Sequence, residues 1–160
     1  MFLAMIVSLV LVSSTILVHY EALRLISLSL PKLTMVRPRA RIVFVIFAAF
    51  AAHTVEVYVY AIAYWLLEAH YGFGNVIAPG IAASPLAFTD VVYFSIITYT
   101  SVGFGDVVPL GGLRLISGVE ALNGLLMIGW SASFTYLCMQ ELWPLHARRH
   151  RPHESGHHRA

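Results

Sequence analysis

Three apolar runs constrain this chain more than any other feature, because a helix of about 20 residues crosses a bilayer and each run reaches that length. The first begins at Met1 and passes Val18 before fading through His19, Tyr20, Glu21 and Arg24. The second covers about 42–67 and the third about 113–142. Charged residues make up 11% of the chain and hydrophobic ones 59%, against about 25% charged in soluble domains. A fourth segment, FTDVVYFSIITYT at 88–100, is too short to span and suits a half-helix that enters the membrane and returns. Thr89 and Asp90 are its expected amino-terminal caps. The Gly/Pro-rich YGFGNVIAPGIAASP before it reads as an exposed loop. The expectation is an all-α membrane protein with three transmembrane helices and a re-entrant helix and loop between the second and third.

Basic residues set the orientation. Arg24, Lys32, Arg37, Arg39 and Arg41 lie at or within the first connection, and Arg148, Arg149, Arg151 and Arg159 follow the third run. Arg114 falls on the other side, with Glu68, Asp90 and Asp106. The positive-inside rule then puts the amino terminus outside and the carboxyl terminus in the cytoplasm of a multi-pass plasma (inner) membrane protein. The first run lacks the basic start and small-residue cleavage site of a signal peptide and is expected to be retained. The lone Cys138 excludes an intrachain disulfide. The expected organisation is an amino-terminal helix at 1–30, a basic linker at 31–41, a membrane domain at 42–143 and a basic, His-rich tail at 144–160.

One stretch does not suit an apolar bundle: TYTSVGFGD, from Thr98 to Asp106. Non-helical backbone at membrane depth persists only when buried in protein or lining water. Its carbonyls need partners, and a dehydrated cation is one. Aligning successive carbonyls on one side takes alternate residues in left-handed geometry, which glycine reaches without a Cβ penalty. Gly103 and Gly105 have that spacing, and Val102 and Phe104 turn their side chains away to pack.

This stretch resembles the potassium-channel filter signature T-x-T-T-V-G-Y/F-G-D. Thr98, Thr100, Val102, Gly103, Phe104, Gly105 and Asp106 match it, and Ser101 stands in place of a threonine. The resemblance covers 42–143 and is to small bacterial two-helix pore domains, with one extra helix in front. It implies a potassium-selective channel in which carbonyls from Ser101 through Val102, Gly103, Phe104 and Gly105 replace the hydration shell of the ion. It implies a homotetramer, since one strand supplies one carbonyl per level of a ring. Thr98, Thr100 and Asp106 would support the filter, with Tyr93 and Phe94 as an aromatic cuff behind it. Gly124 aligns with the family's hinge glycine and Gly129 lies just beyond, although small residues serve close packing equally well. Two departures stand out: serine loses threonine's methyl, and Phe104 loses a tyrosine hydroxyl. Ile97 occupies the place of a buried acid that in some relatives partners Asp106. A weakly selective cation channel, and a non-conducting membrane module on the same fold, are the alternatives.

His53, Glu56, Tyr60 and Tyr64 recur at i, i+3, i+7 and i+11 on one face of the second run. Ionisable groups within a span cost at least about 2.5 kcal/mol and face protein. The expectation is a polar network between helices, with Ser8, Ser13, Ser14 and Thr15 of the first run as partners, rather than a proton sensor. Glu120 either lines a vestibule behind the filter or bonds to a neighbouring helix. For His146, His150, His153, His157 and His158 the expected reading is a flexible basic tail near anionic headgroups, with metal binding the alternative, since their spacing lacks a fixed turn and a cysteine partner. K+ at the filter carbonyls is the expected ion and no cofactor is expected. No nucleophile–base pair or phosphate loop suggests an enzyme, and no nucleic-acid or small-molecule partner is indicated beyond the bilayer and the chain's own copies.

Overall fold

The computed structural model describes residues 1–33, 35–79 and 86–149, with side chains as far as Leu142. Helix α1 covers Phe2–Ser29 and α2 covers Pro38–Tyr71. Helix α3 is the half-helix Phe88–Tyr99, and α4 covers Leu113–Arg149. Three of the four, α1, α2 and α4, are long and apolar enough to cross a membrane. The fold is an all-α membrane fold.

Several boundaries differ from the sequence reading, each for a physical reason. Helix α1 does not fade at His19, because that side chain is fully buried against the other helices. Helix α2 starts inside the basic linker, where Pro38 occupies its first turn with a preset φ and needs no amide partner. Its far end closes on Gly72, which is left-handed at φ 54°. The expected caps of α3 are misplaced. The residue before its first turn is Ala87, and Thr89 and Asp90 lie within that turn. No side chain caps α3, so Asp90 contributes its charge to the positive end of the helix instead. Helix α4 runs unbroken to Arg149, so the basic tail begins within a helix. His150, His153, His157 and His158 lie outside the described residues.

Contacts at successive levels fix the packing register. Thr15, Tyr60 and Asn123 meet at one level, His19, Glu56 and Ser131 at the next, and Leu23, Val45 and Cys138 beyond them. Numbers rise together along α1 and α4 and fall along α2, so α2 runs antiparallel to both. The larger apolar cluster centres on Tyr60, Tyr64, Phe94, Leu113 and Ile116, around the base of α3. Strands β1 (Val76–Ile77) and β2 (Val108–Pro109) pair antiparallel. With the bond from Leu110 N to Asn75 O at 2.8 Å, they tie the loop after α2 to the segment leading into α4.

The carboxyl end of α3 and the middle of α4 approach more closely than a side chain allows. A Cβ on Gly124 would sit 2.0 Å from the carbonyl oxygen of Tyr99, whereas one on Gly129 would meet nothing within 4 Å. Gly124→Ala should therefore destabilise the detergent-purified protein by about 1–3 kcal/mol through overpacking. Gly129→Ala should leave it unchanged or add up to about 1 kcal/mol of helix propensity. Thermal melting followed by circular dichroism separates the two, and equal melting points would contradict this packing.

Candidate functional site

Helix α3 ends at Tyr99, and the chain then turns back along it. Thr100 N donates to Ile96 O at 3.1 Å, Ser101 N to Thr98 O at 2.9 Å and Gly103 N to Ile97 O at 3.0 Å. The last carbonyls of the helix are thus satisfied by the amides of the strand that follows. The Thr100 hydroxyl adds a bond to Ile96 O at 2.7 Å. These local bonds start the extended segment Ser101–Asp106 at a defined point beside the helix end.

Within that segment the handedness alternates. Ser101, Gly103 and Gly105 have φ of 58°, 51° and 81°. The spacing of the two glycines anticipated their geometry, and Ser101 extends it by one step. Among the described residues Ser101 is the only non-glycine with positive φ. The left-handed form costs a side-chain-bearing residue about 1–2 kcal/mol, so the surrounding bonds hold Ser101 against its preference. Its hydroxyl lies 3.5 Å from Ala121 O on α4, the outer limit of a hydrogen bond. Among the described residues, no carbonyl from Ser101 to Phe104 accepts a backbone hydrogen bond. The strand lies on the surface of the single chain, with Val102 54% and Phe104 71% exposed.

Side chains brace the strand at both ends. At the outer end Tyr93 donates to Asp106 Oδ2 at 2.7 Å. That bond raises the Tyr93 phenol above its ordinary range, since the carboxylate holds its proton. Asp106 therefore has a partner although Ile97 cannot be one. Phe94, buried one position on, packs edge-on against Tyr64 with ring centroids 5.3 Å apart. At the inner end the Tyr99 hydroxyl donates to Glu56 and lies 2.9 Å from His53 Nδ1.

The polar face of α2 finds its partners, and they are not mainly those expected. Glu56 Oε1 meets His19 Nδ1 of α1 at 2.8 Å, and both side chains are fully buried. Ser131 Oγ of α4 lies 3.2 Å from the other nitrogen of His19. Thr15 serves the network through Asn123, whose Nδ2 donates to Thr15 Oγ1 at 2.9 Å and to Tyr60 OH at 3.3 Å. Ser14 bonds only to its own helix at Val10 O, Ser13 is exposed, and Ser8 is buried without a partner among the described residues. Glu120 bonds to neighbouring helices: Tyr64 donates to one oxygen, and Ser95 Oγ lies 2.6 Å from the other.

Sequence reasoning missed His19, Asn123, Ser95 and Ser131. A signal for His19 was present, because Ser8, Thr15 and His19 recur at intervals of 7 and 4 on the buried face of α1. Tyr64→Phe should leave a buried Glu120 oxygen without its donor and destabilise the protein by about 1–3 kcal/mol. Tyr58→Phe, at an exposed position on α2, should be neutral, and equal melting of the two variants would remove Glu120 from the stabilising network.

Comparison with known proteins gives two matches. A family model described as "Ion channel" matches residues 40–141. The inward rectifier potassium channel Kirbac3.1 of Paramagnetospirillum magnetotacticum is 38% identical over 55 residues. That stretch is 34% of this chain and spans 19% of the relative's length. No solved structure gives a significant match.

Proposed function

The chain belongs to this ion channel family, and from that premise we propose that four copies surround one axis and conduct potassium selectively. The observation that carries the reading is the alternation of left-handed residues at Ser101, Gly103 and Gly105 in a strand whose carbonyls accept no backbone bond. Such alternation turns successive carbonyls toward one side, where they replace the hydration shell of a cation. The ligands are the carbonyls of Ser101, Val102, Gly103, Phe104 and Gly105. A protein of this kind is a channel rather than an enzyme, and K+ is its cargo rather than a cofactor.

One strand provides only part of such a shell. Four strands complete it, which makes the homotetramer a requirement of the mechanism. The exposed filter strand supports this, as does the exposed apolar face of α4 at Leu122, Leu125 and Leu126. Helix α3, ending at Tyr99, presents its negative carboxyl end toward the axis and favours a cation there. The similarity to an inward rectifier potassium channel supports potassium as the ion. The basic residues of the α1–α2 connection and of the tail support a cytoplasmic location for both, with the amino terminus outside, in a plasma membrane. Gly124 and Gly129 are the candidate hinges of α4, although the Tyr99 contact already gives Gly124 a packing role.

Purified protein in liposomes tests this directly. The expected result is tetrameric mass in detergent and potassium-driven flux well above sodium flux. Comparable sodium flux would favour the weakly selective alternative, and no flux the non-conducting one. Alanine at Gly103 or Gly105 meets no atom within 4 Å in the chain. Within the chain its cost is backbone strain, about 1–2 kcal/mol. Both variants should keep their fold by circular dichroism and lose potassium selectivity. Unchanged ion ratios in both would reject the filter assignment.

A further inference from the structure

We propose that His19, His53 and Glu56 form a binding site for a divalent transition ion of the zinc class, clamping α1 to α2 directly behind the filter. The three residues come from two helices and converge in the bundle interior. His19 Nδ1 is 2.8 Å from Glu56 Oε1, and His53 Nδ1 is 3.4 Å from Glu56 Oε2. One ligand atom from each lies within 4.8 Å of the other two. The imidazole rings of His19 and His53 have centroids 5.1 Å apart. Two imidazoles bound to one tetrahedral ion at about 2.0–2.1 Å place their centroids roughly 5 Å apart, so the rings need little adjustment.

The donor set selects the ion. Two imidazole nitrogens and one carboxylate suit zinc and its neighbours, whereas magnesium and calcium take all-oxygen shells. Tyr99 OH, 2.9 Å from His53 Nδ1 and bonded to Glu56, stands beside the trio as a fourth donor atom. His53 and Glu56 are one helical turn apart on α2, so that helix presents both to the same point.

Ser131 makes the site usable in two proton states. With no ion, Ser131 donates to His19 Nε2, and His19 Nδ1 donates its proton to Glu56. With an ion on Nδ1, the His19 proton moves to Nε2, and Ser131 Oγ, 3.2 Å away, accepts it. Outer hydrogen bonds of this kind orient the ligating histidine and hold its tautomer. Neither state leaves a buried His19 nitrogen without a partner.

The test uses the full chain with His146, His150, His153, His157 and His158 replaced by glutamine, so that the tail cannot bind metal. The protein is washed with chelator and titrated with Zn2+, and with Co2+ as a coloured substitute. One ion per chain, the intense visible absorption of four-coordinate Co2+ and a higher melting temperature with Zn2+ are expected. His19→Gln and His53→Gln should each weaken binding more than about tenfold, and Ser131→Ala about tenfold. His70→Gln, in the last turn of α2, should leave binding unchanged. The proposal is overturned by absence of stoichiometric uptake, by the weak spectrum of six-coordinate Co2+, or by uptake in both histidine variants equal to that of the chain with His19 and His53 intact. If those variants do not fold, the Co2+ spectrum and Zn2+ melting shift of the chain with His19 and His53 intact decide it. None of these readouts depends on which ion the pore conducts.

Discussion

A bilayer offers no water to a carboxylate, and the arrangement of this protein follows from that constraint. Glu56 and Glu120 lie on apolar helices, where each unpartnered polar atom costs free energy that packing alone does not recover. Each acid gathers donors from other elements: His19 and Tyr99 for Glu56, Tyr64 and Ser95 for Glu120. These bonds join α1, α2 and α3, and they draw α4 in through Glu120 and Ser131. Apolar side chains in lipid have little preference for one register over another, because lipid tails are as apolar as leucine. The directional bonds supply that preference.

The Ser101–Asp106 strand, the proposed filter, is held from behind in part by these bonds. The Tyr99 hydroxyl is tied to α2, the Tyr99 carbonyl lies where Gly124 has no side chain, and Asp106 is held by Tyr93. Between these anchors the strand adopts a strained form at Ser101 and, among the described residues, leaves its carbonyls from Ser101 to Phe104 without backbone partners. A free strand would relax such a conformation. Here the braces lie at its ends and on its reverse side, so its other side stays uncovered in the single chain, as the proposed filter requires. The added helix α1 reaches this assembly through His19, which bonds to Glu56 and, through it, to Tyr99.

Hydrophobic length made the helix count and the half-helix legible, because it acts locally, and the candidate filter was read from its resemblance to a family signature. Length determines whether a run spans, and glycine spacing anticipated the left-handed positions Gly103 and Gly105 but not Ser101. The polar stripe of α2 was legible as a face that must be covered. Its partners were not, since hydrogen bonds between helices link residues as far apart as Thr15 and Asn123. No local pattern says which of several serines, threonines or histidines will arrive at the same level.

The sequence by itself therefore determined that this is a membrane-spanning bundle interrupted by a glycine-bearing strand, because hydrophobic length and the missing Cβ act within a few residues. Only the tertiary structure decided that His19, rather than Ser8, Ser13 or Ser14, partners Glu56. It likewise placed Glu120 among helices rather than facing a vestibule, and matched Gly124 to the carbonyl of Tyr99. Those outcomes depend on the register of three helices against one another. That register is set by all their buried contacts together, not by any one segment.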